Sequence, residues 1–552
     1  MKDTPLIVQS DRSLLLDVHH PDSEACRKDL IRFCELVKSP EHMHTYRISE
    51  ISLWNASGEG LDGEAIVEMI KKWSKFPPPE SVLFFVRDIA GRWGSLVLTE
   101  STDEAYYLLT ISIEKIRLEI KHRKELMKIL VVKDEDSFLV ERYLRGELKL
   151  RLIKLGYPVD DRIPLEKGPP LMFDKRKTTL GGQPFIVRPY QSQAADALLG
   201  DLGRGRGFGT IVLPCGSGKT IVGLEIMSRL KTSTLIVTTN VVAVHQWMRE
   251  ILDKTTLERE DVGEYTGNLK ERKPITVCTY QVLTYRKSKT APFAHMDLLT
   301  KGRWGLIIYD EVHMLPAPVF KVTAELQATF RVGFTATLVR EDGREDEVFS
   351  LVGPKRYDVP WIELQQQGFI AQAYCHEIRL DLPKELELEY ALATKRQKYR
   401  IASENPLKIE VVRSLIERHS DDFILIIGQY IDQLEEVAKL FDLPIITGST
   451  PNAKRDELYS AFRNGEIRIL VVSKVANYAI DLPDASVAIQ ISGTFGSRSE
   501  EAQRLGRILR PKGRSSFFYS VITRYSSEEE FSANRQKFLA EQGYSYEIEV
   551  WE

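Results

Sequence analysis

Leu213-Pro-Cys-Gly-Ser-Gly-Lys-Thr220 is the stretch around which the rest of this chain is read. Before it, Gly209-Thr-Ile-Val-Leu213 is an apolar, β-branched run suited to a buried strand, and after it Ile221 to Leu230 repeats apolar residues at helical spacing. A strand, a Gly-rich turn and a helix in that order let consecutive backbone N–H groups converge on phosphate oxygens at a positive helix end. Gly216, Ser217 and Gly218 would form the cradle, Lys219 would reach the terminal phosphates, and the Thr220 hydroxyl would meet a magnesium ion. The full pattern has a further glycine where this chain has Leu213. The expectation is a nucleoside triphosphate site with Mg2+; a Gly-rich turn without a ligand is the alternative.

Downstream, strands and helices alternate as in a parallel doubly wound sheet: Thr234–Thr238, a helix over Val242–Leu252, Ile275–Tyr280, then Trp304-Gly-Leu-Ile-Ile-Tyr-Asp-Glu311. The last run delivers two adjacent carboxylates to the carboxyl end of a strand, where open α/β sheets bind ligands. Asp310 is expected to hold magnesium through water and Glu311 to polarise an attacking water, because hydrolysis of a phosphate anhydride needs positioning and cation stabilisation. His313 follows closely. Gly333-Phe-Thr-Ala-Thr337 reads as a short strand whose hydroxyls, Thr335 and Thr337, can switch partners between the carboxylate loop and whatever the enzyme moves. Arg340-Glu-Asp342 then sets three charges together. Upstream of the turn lies Arg188-Pro-Tyr-Gln191; in nucleotide-driven motors a glutamine at this place reads the adenine edge.

A second α/β lobe runs from Trp361 to Glu552 with no phosphate turn of its own. Its strands are read at Phe423–Gly428, Ile467–Val472 and Ala488–Ser492, and a charged helical stretch opens it over Pro383–Ile401. Glu501-Ala-Gln-Arg-Leu-Gly-Arg-Ile-Leu-Arg510 spaces arginines so that they can share one helix face. Planar guanidinium forks suit phosphate oxygens, so Arg507 and Arg510, with Gln503, are expected to reach a nucleotide held by the first lobe. A solvated basic helix is the plainer reading of that segment.

Composition excludes several classes. The chain of 552 residues is too long for one core, and its formal net charge of −3 gives no global pull toward nucleic acid, so any such binding must be local. No stretch reaches the roughly 18 uncharged apolar residues of a membrane span, and the start lacks an apolar signal region; a cytoplasmic protein is expected, without a membrane partner. The 5 cysteines include no Cys-x-x-Cys pair, which argues against a disulfide framework or a structural zinc site. The amino-terminal region reads as a hairpin over Leu6–Val18, a helix over Ser23–Val37, a further helix Gly63–Phe76 broken by Pro77–Pro79, then helix Val82–Ile89 and strand Gly94–Leu98. From Ala105 to Tyr157 the periods give strand, helix (Ile113–Met127), strand (Ile129–Val132) and helix (Phe138–Leu155). His42 and His44 lack a third ligand nearby and read as strand residues.

Taken in order, Gly-Ser-Gly-Lys-Thr, Asp-Glu-Val-His, Thr-Ala-Thr and Gln-Arg-Leu-Gly-Arg-Ile-Leu-Arg resemble the motifs of superfamily-two helicases. Arg340-Glu-Asp342, with the ending Phe538-Leu-Ala-Glu-Gln-Gly-Tyr544, narrows the resemblance to the shorter prokaryotic form of the XPB type. The resemblance implies an α/β chain with two RecA-like parallel-sheet lobes preceded by small α+β accessory domains. It divides the chain into an amino-terminal domain (1–100), a damage-recognition-like α/β unit (104–160), a linker (161–183), the first lobe (184–358) and the second (359–552), with a helical thumb-like stretch near 383–401. It further implies ATP- and Mg2+-dependent 3′-to-5′ helicase or translocase activity on single-stranded, forked or damaged duplex DNA, with a nuclease or other repair protein as a further partner. His313, Thr335, Thr337, Arg340, Glu341 and Asp342 are then the candidates for strand separation or coupling. A duplex translocase that does not unwind, and a DNA clamp that holds ATP without hydrolysing it, are the competing readings.

Overall fold

A computed structural model describes residues 2–40, 42–164, 167–200, 206–214, 216–288, 293–300, 302–315, 330–336, 352–473, 485–493 and 515–551. The chain forms two compact units: 1–212 with 220–338 and 342–358, and 359–552 with the short pieces 213–219 and 339–341.

The first unit begins with strands β1 (Leu6–Val8), β2 (Ser13–Asp17), β3 (Glu35–Lys38) and β4 (Met43–Arg47), an antiparallel sheet in the order β1-β2-β4-β3. Helices Ser23–Leu30, Glu50–Gly58, Gly63–Trp73 and Glu80–Gly91 accompany it, and Leu14, Leu16, Tyr46, Trp54, Ile70 and Val86 join in one core. The helix expected over Ser23–Val37 stops at Leu30: Phe33 and Cys34 turn inward, and Glu35 onward pairs with β4, whose ladder takes the backbone groups that a longer helix would have used. A second sheet follows, β5 (Leu96–Glu100), β6 (Tyr106–Ile111), β7 (Leu130–Val132), β8 (Ser137–Glu141) and β9 (Val159–Asp161), in the order β7-β8-β6-β5-β9. The helix expected from Phe138 is a strand instead, antiparallel to β6 and with Phe138 and Val140 in the core; helix Arg145–Lys154 begins only after it.

A seven-stranded sheet completes the unit: β10 (Phe208–Val212), β11 (Thr234–Thr238), β12 (Val262–Tyr265), β13 (Ile275–Thr279), β14 (Leu306–Asp310), β15 (Phe330–Thr335) and β16 (Lys355–Asp358). Its order is β12-β13-β11-β14-β15-β10-β16, and every pairing is parallel. All residues of β11 and β13 are buried, which explains their near-continuous apolar sequence. The parallel direction puts the carboxyl ends of β10, β14 and β15 on one edge, so Val212, from which the Gly-rich turn departs, shares that edge with Asp310 and Thr335.

The second unit carries another seven-stranded parallel sheet, from β17 (Ala373–Leu380), β18 (Ile424–Gly428), β19 (Ile445–Ile446), β20 (Ile469–Ser473), β21 (Val487–Gln490), β22 (Ser516–Thr523) and β23 (Tyr546–Val550), in the order β19-β20-β18-β21-β22-β17-β23. The expected helical stretch over Pro383–Ile401 lies between β17 and β18 as two helices, Lys384–Leu392 and Lys395–Ser403. Beneath the sheet lies a buried ion pair, Lys408 Nζ 2.8 Å from Glu528 Oε1, with the same ammonium donating to the Ile491 carbonyl at 2.7 Å. Two parallel-sheet lobes preceded by small accessory domains are therefore present. Cys26, Cys34, Cys278 and Cys375 are buried free thiols, and among the described residues no helix is long and apolar enough to cross a membrane.

Candidate active site

The turn after β10 needs its glycines: Gly216 (φ 78°) and Gly218 (φ 83°) lie in the left-handed region, where a side chain would be strained. Between them Ser217 is fully buried, its Oγ donating to the Pro214 carbonyl at 2.6 Å, a bond that pins the turn on itself. Lys219 opens the helix Lys219–Leu230 and Thr220 follows, as the sequence requires of residues facing a phosphate.

At the end of β14 the two carboxylates are held by different means. Asp310 Oδ2 accepts from the Trp247 indole at 3.0 Å, and its Oδ1 accepts from the Glu311 backbone N–H at 3.1 Å. Tyr280 donates its hydroxyl to the Asp310 carbonyl at 2.9 Å; burial, and then the charge of Asp310, push that phenol well above its ordinary pKa, so it remains a donor. Glu311 adopts φ 49°, ψ 54°, a left-handed conformation that costs a non-glycine residue on the order of 1–3 kcal/mol. That backbone ends the strand at once.

His313, in the tight turn Val312–Met314, has Nδ1 2.9 Å from Thr335 Oγ1 and 3.5 Å from Glu311 Oε2. The imidazole thus links Glu311 to the end of β15. Gly333 permits the approach, since a Cβ there would lie 2.9 Å from Val312 Cγ2. Gln191, buried in helix Pro189–Leu199, accepts the Arg188 backbone N–H at 2.9 Å and so caps its own helix. Thr337, Arg340, Glu341, Asp342, Gln503, Arg507 and Arg510 lie outside the described residues.

Trp247 and Tyr280 went unread in the sequence. Trp247 falls among Val244, Met248 and Ile251 on the buried face of helix Val241–Lys254, where an indole reads as core. It is 2% exposed, and Gly223 makes room for it: a Cβ there would sit 2.6 Å from the ring. One signal was available, because a buried Trp N–H needs an acceptor.

For a magnesium ion, the donor set is of the right kind. Asp310 and Thr220 offer hard oxygens, the ligand type that magnesium takes. The one group of three metal-type side chains among the described residues, His376, Glu547 and Glu549 within 4.8 Å, lies elsewhere, at the β17–β23 edge. Arg418 stands 4.0 Å from Glu549 there, a competing cation.

Three family models match. One described as "ERCC3/RAD25/XPB C-terminal helicase" covers residues 364–550, one described as "Type III restriction enzyme, res subunit" covers 184–340, and one described as "Helicase conserved C-terminal domain" covers 6–134. A protein of Kineococcus radiotolerans named DNA 3'-5' helicase XPB is 47% identical over 99% of this chain and 97% of its own length. One of the same name from Mycobacterium tuberculosis is 46% identical over 99% and 98%. The Saccharomyces cerevisiae protein named general transcription and DNA repair factor IIH helicase/translocase subunit XPB/SSL2 is 31% identical over 98% of this chain and 71% of its own.

Proposed function

We propose, for a chain that belongs to the XPB family of DNA 3'-5' helicases, that ATP hydrolysis at the edge carrying Asp310 and Glu311 drives 3′-to-5′ movement along DNA and separation of its strands. The observation that carries this reading is the abrupt left-handed turn at Glu311, which sets a second carboxylate beside Asp310 on the edge that also launches the phosphate turn. Gly216, Ser217 and Gly218 cradle the phosphates and Lys219 takes the terminal ones. Thr220 and Asp310 would hold Mg2+, which when bound screens phosphate charge in the transition state. Glu311 orients the attacking water and receives its proton. Arg188 and Gln191 face the base. Gln503, Arg507 and Arg510 of the second lobe close on the terminal phosphate, so that nucleotide turnover draws the lobes together and releases them.

The path from Glu311 through His313 to Thr335 is the natural route from hydrolysis to movement, with Thr337 beyond it. Arg340, Glu341 and Asp342 act where strands part. Residues 1–100 and 104–160 serve as amino-terminal and damage-recognition-like domains, 161–183 as linker, 184–358 and 359–552 as the two lobes, with a thumb near 383–401. The setting is the cytoplasm and DNA repair, with a nuclease or other repair protein alongside. Phosphate release measured with single-stranded, duplex and forked DNA tests the proposal. ATP turnover that no DNA stimulates would remove it.

The word "translocase" in the yeast relative's name favours a second reading, duplex translocation without unwinding. Parallel strand-displacement and triplex-displacement assays decide, since Arg340→Ala should impair only the former.

A further inference from the structure

Glu311 stands at φ 49°, ψ 54°, a conformation that a residue with a Cβ keeps only where its surroundings hold it. The peptide unit joining it to Asp310 is held at both of its polar atoms. The carbonyl, which is that of Asp310, accepts from the Tyr280 hydroxyl at 2.9 Å, and the N–H, which is that of Glu311, donates to Asp310 Oδ1 at 3.1 Å. We infer, on the reading of Glu311 as the group that orients the attacking water, that Tyr280 is a positioning residue for hydrolysis: its hydroxyl latches the Asp310–Glu311 peptide, and with it the Glu311 carboxylate, in the orientation the reaction uses.

A planar peptide unit can turn about the bonds on either side of it while the flanking chain stays in place. A half-turn here would carry φ of Glu311 from 49° to about −130°, on the side of the map open to every residue, so the backbone strain itself favours the turned form. Turning would also swing the carbonyl away from Tyr280 and the N–H away from Asp310 Oδ1. The two hydrogen bonds therefore oppose the strain, and they are not equivalent. Asp310 Oδ1 belongs to the residue on which the peptide pivots and ties the turn to itself, whereas Tyr280 belongs to another strand's exit and ties it to the sheet.

β13 and β14, from which the two partners come, are not neighbours: β11 lies between them. The β11–β14 pairing ends at Val237 and Tyr309, so the Asp310 carbonyl lies one residue past it, and the Tyr280 hydroxyl bonds the backbone where that ladder has stopped. Tyr280 opens the short helix Tyr280–Leu283 directly after β13, where Thr279 Oγ1 accepts the Val282 N–H at 3.2 Å and fixes the turn. The ring is 4% exposed, so packing holds it as well. Phenylalanine would fill the same space; what the hydroxyl adds is the bond to the Asp310 carbonyl. Trp247 and Tyr280 thus divide one task, the indole meeting the Asp310 side chain and the phenol its main chain.

Tyr280→Phe in the full chain tests the latch in two ways. Hydrogen–deuterium exchange, followed without nucleotide or metal, should show the Glu311 amide exchanging roughly two- to tenfold faster than in the parent, the worth of one neutral hydrogen bond, with thermal unfolding little changed. In DNA-stimulated turnover, kcat should fall by a similar factor while KM for ATP stays within about twofold, because a turned Glu311 withdraws a group the transition state needs and leaves ATP binding alone. Glu311→Gln is measured alongside to keep two failures apart. Parent-like exchange in Tyr280→Phe, or an unchanged kcat in a chain that Glu311→Gln silences, would overturn the latch. Parent-like turnover in Glu311→Gln would instead strike the reading of Glu311, and the latch's role in hydrolysis with it.

Discussion

The two large sheets are the same sheet drawn twice. Counting strands in chain order within each, both run third, fourth, second, fifth, sixth, first, seventh across the sheet. They part at the carboxyl edge. In the first, the leading strand β10 opens into the Gly-rich turn and the fifth, β14, ends on Asp310-Glu311. In the second, the leading strand β17 runs into Asp381-Leu-Pro383, and the fifth, β21, continues through Gln490 to Gly493 with no carboxylate. Their buried polar groups differ accordingly. An indole and a phenol converge on Asp310, whereas under the second sheet Tyr399 donates to the Gly493 carbonyl at 2.7 Å, and Arg535 packs so closely that a Cβ on Gly493 would meet its guanidinium carbon at 2.3 Å. Identical topology thus carries a Gly-rich turn and paired acids at the edge of one copy and a braced edge in the other: topology sets where a ligand can lie, and the residues leaving two strands set what that edge offers.

If that contrast is right, the largest loss comes from the first edge. Lys219→Ala or Glu311→Gln is expected to lower DNA-stimulated ATP turnover by about a hundredfold or more, as removal of a transition-state charge partner does. Phosphate release measured at saturating ATP checks it; turnover within about twofold of the parent would mean the chemistry lies elsewhere. In the second unit the expectation falls on stability. Glu528→Gln leaves the Lys408 ammonium buried without its counter-charge and should cost about 3–5 kcal/mol in denaturant unfolding of that unit. Adding Lys408→Met should restore much of the loss, because the costly object is the lone charge. A double variant no more stable than the single one would contradict the assignment of a purely bracing role.

The motif-bearing edge of the first sheet was legible because its signals are local: the glycines dictate positive φ, and an apolar run ending in two acids dictates a strand end. What escaped lay in long-range pairing. Ser23–Val37 and Phe138–Leu155 have helical composition, yet Glu35–Lys38 and Ser137–Glu141 are recruited by β4 and by β6 and β7, strands that no local window contains. β12, β16 and β23 are short or polar edge strands whose patterns carry little apolar periodicity. Gln191 stood out through its place before the turn, but its bond to the Arg188 N–H is a cap that only coordinates reveal. Trp247 was hidden by the same apolar face that makes its helix predictable.

Trp247 also gives the finest test of the contrast between the sheets, because it reaches Asp310 from a helix carrying none of the motifs. Phenylalanine keeps the ring and removes the N–H that meets Asp310 Oδ2 at 3.0 Å. A hydrogen bond to a charged group contributes about 1.5–3 kcal/mol, so Trp247→Phe should lower kcat by roughly ten- to a hundredfold. A carboxylate that has lost its indole anchor samples more orientations, so the magnesium concentration giving half-maximal turnover should rise as well. Denaturant unfolding should move little, since most of the buried contact area survives. Gly223→Ala approaches the same bond from the helix after the phosphate turn: the new Cβ would lie 2.6 Å from the indole and must displace it. The two variants should therefore share a raised magnesium requirement, while only the alanine also lowers stability, by about 1–3 kcal/mol for overpacking. Parent-like magnesium dependence in both would reduce Trp247 to a core residue whose N–H merely found an acceptor, and would leave Asp310 positioned by the strand and by its own neighbour's backbone.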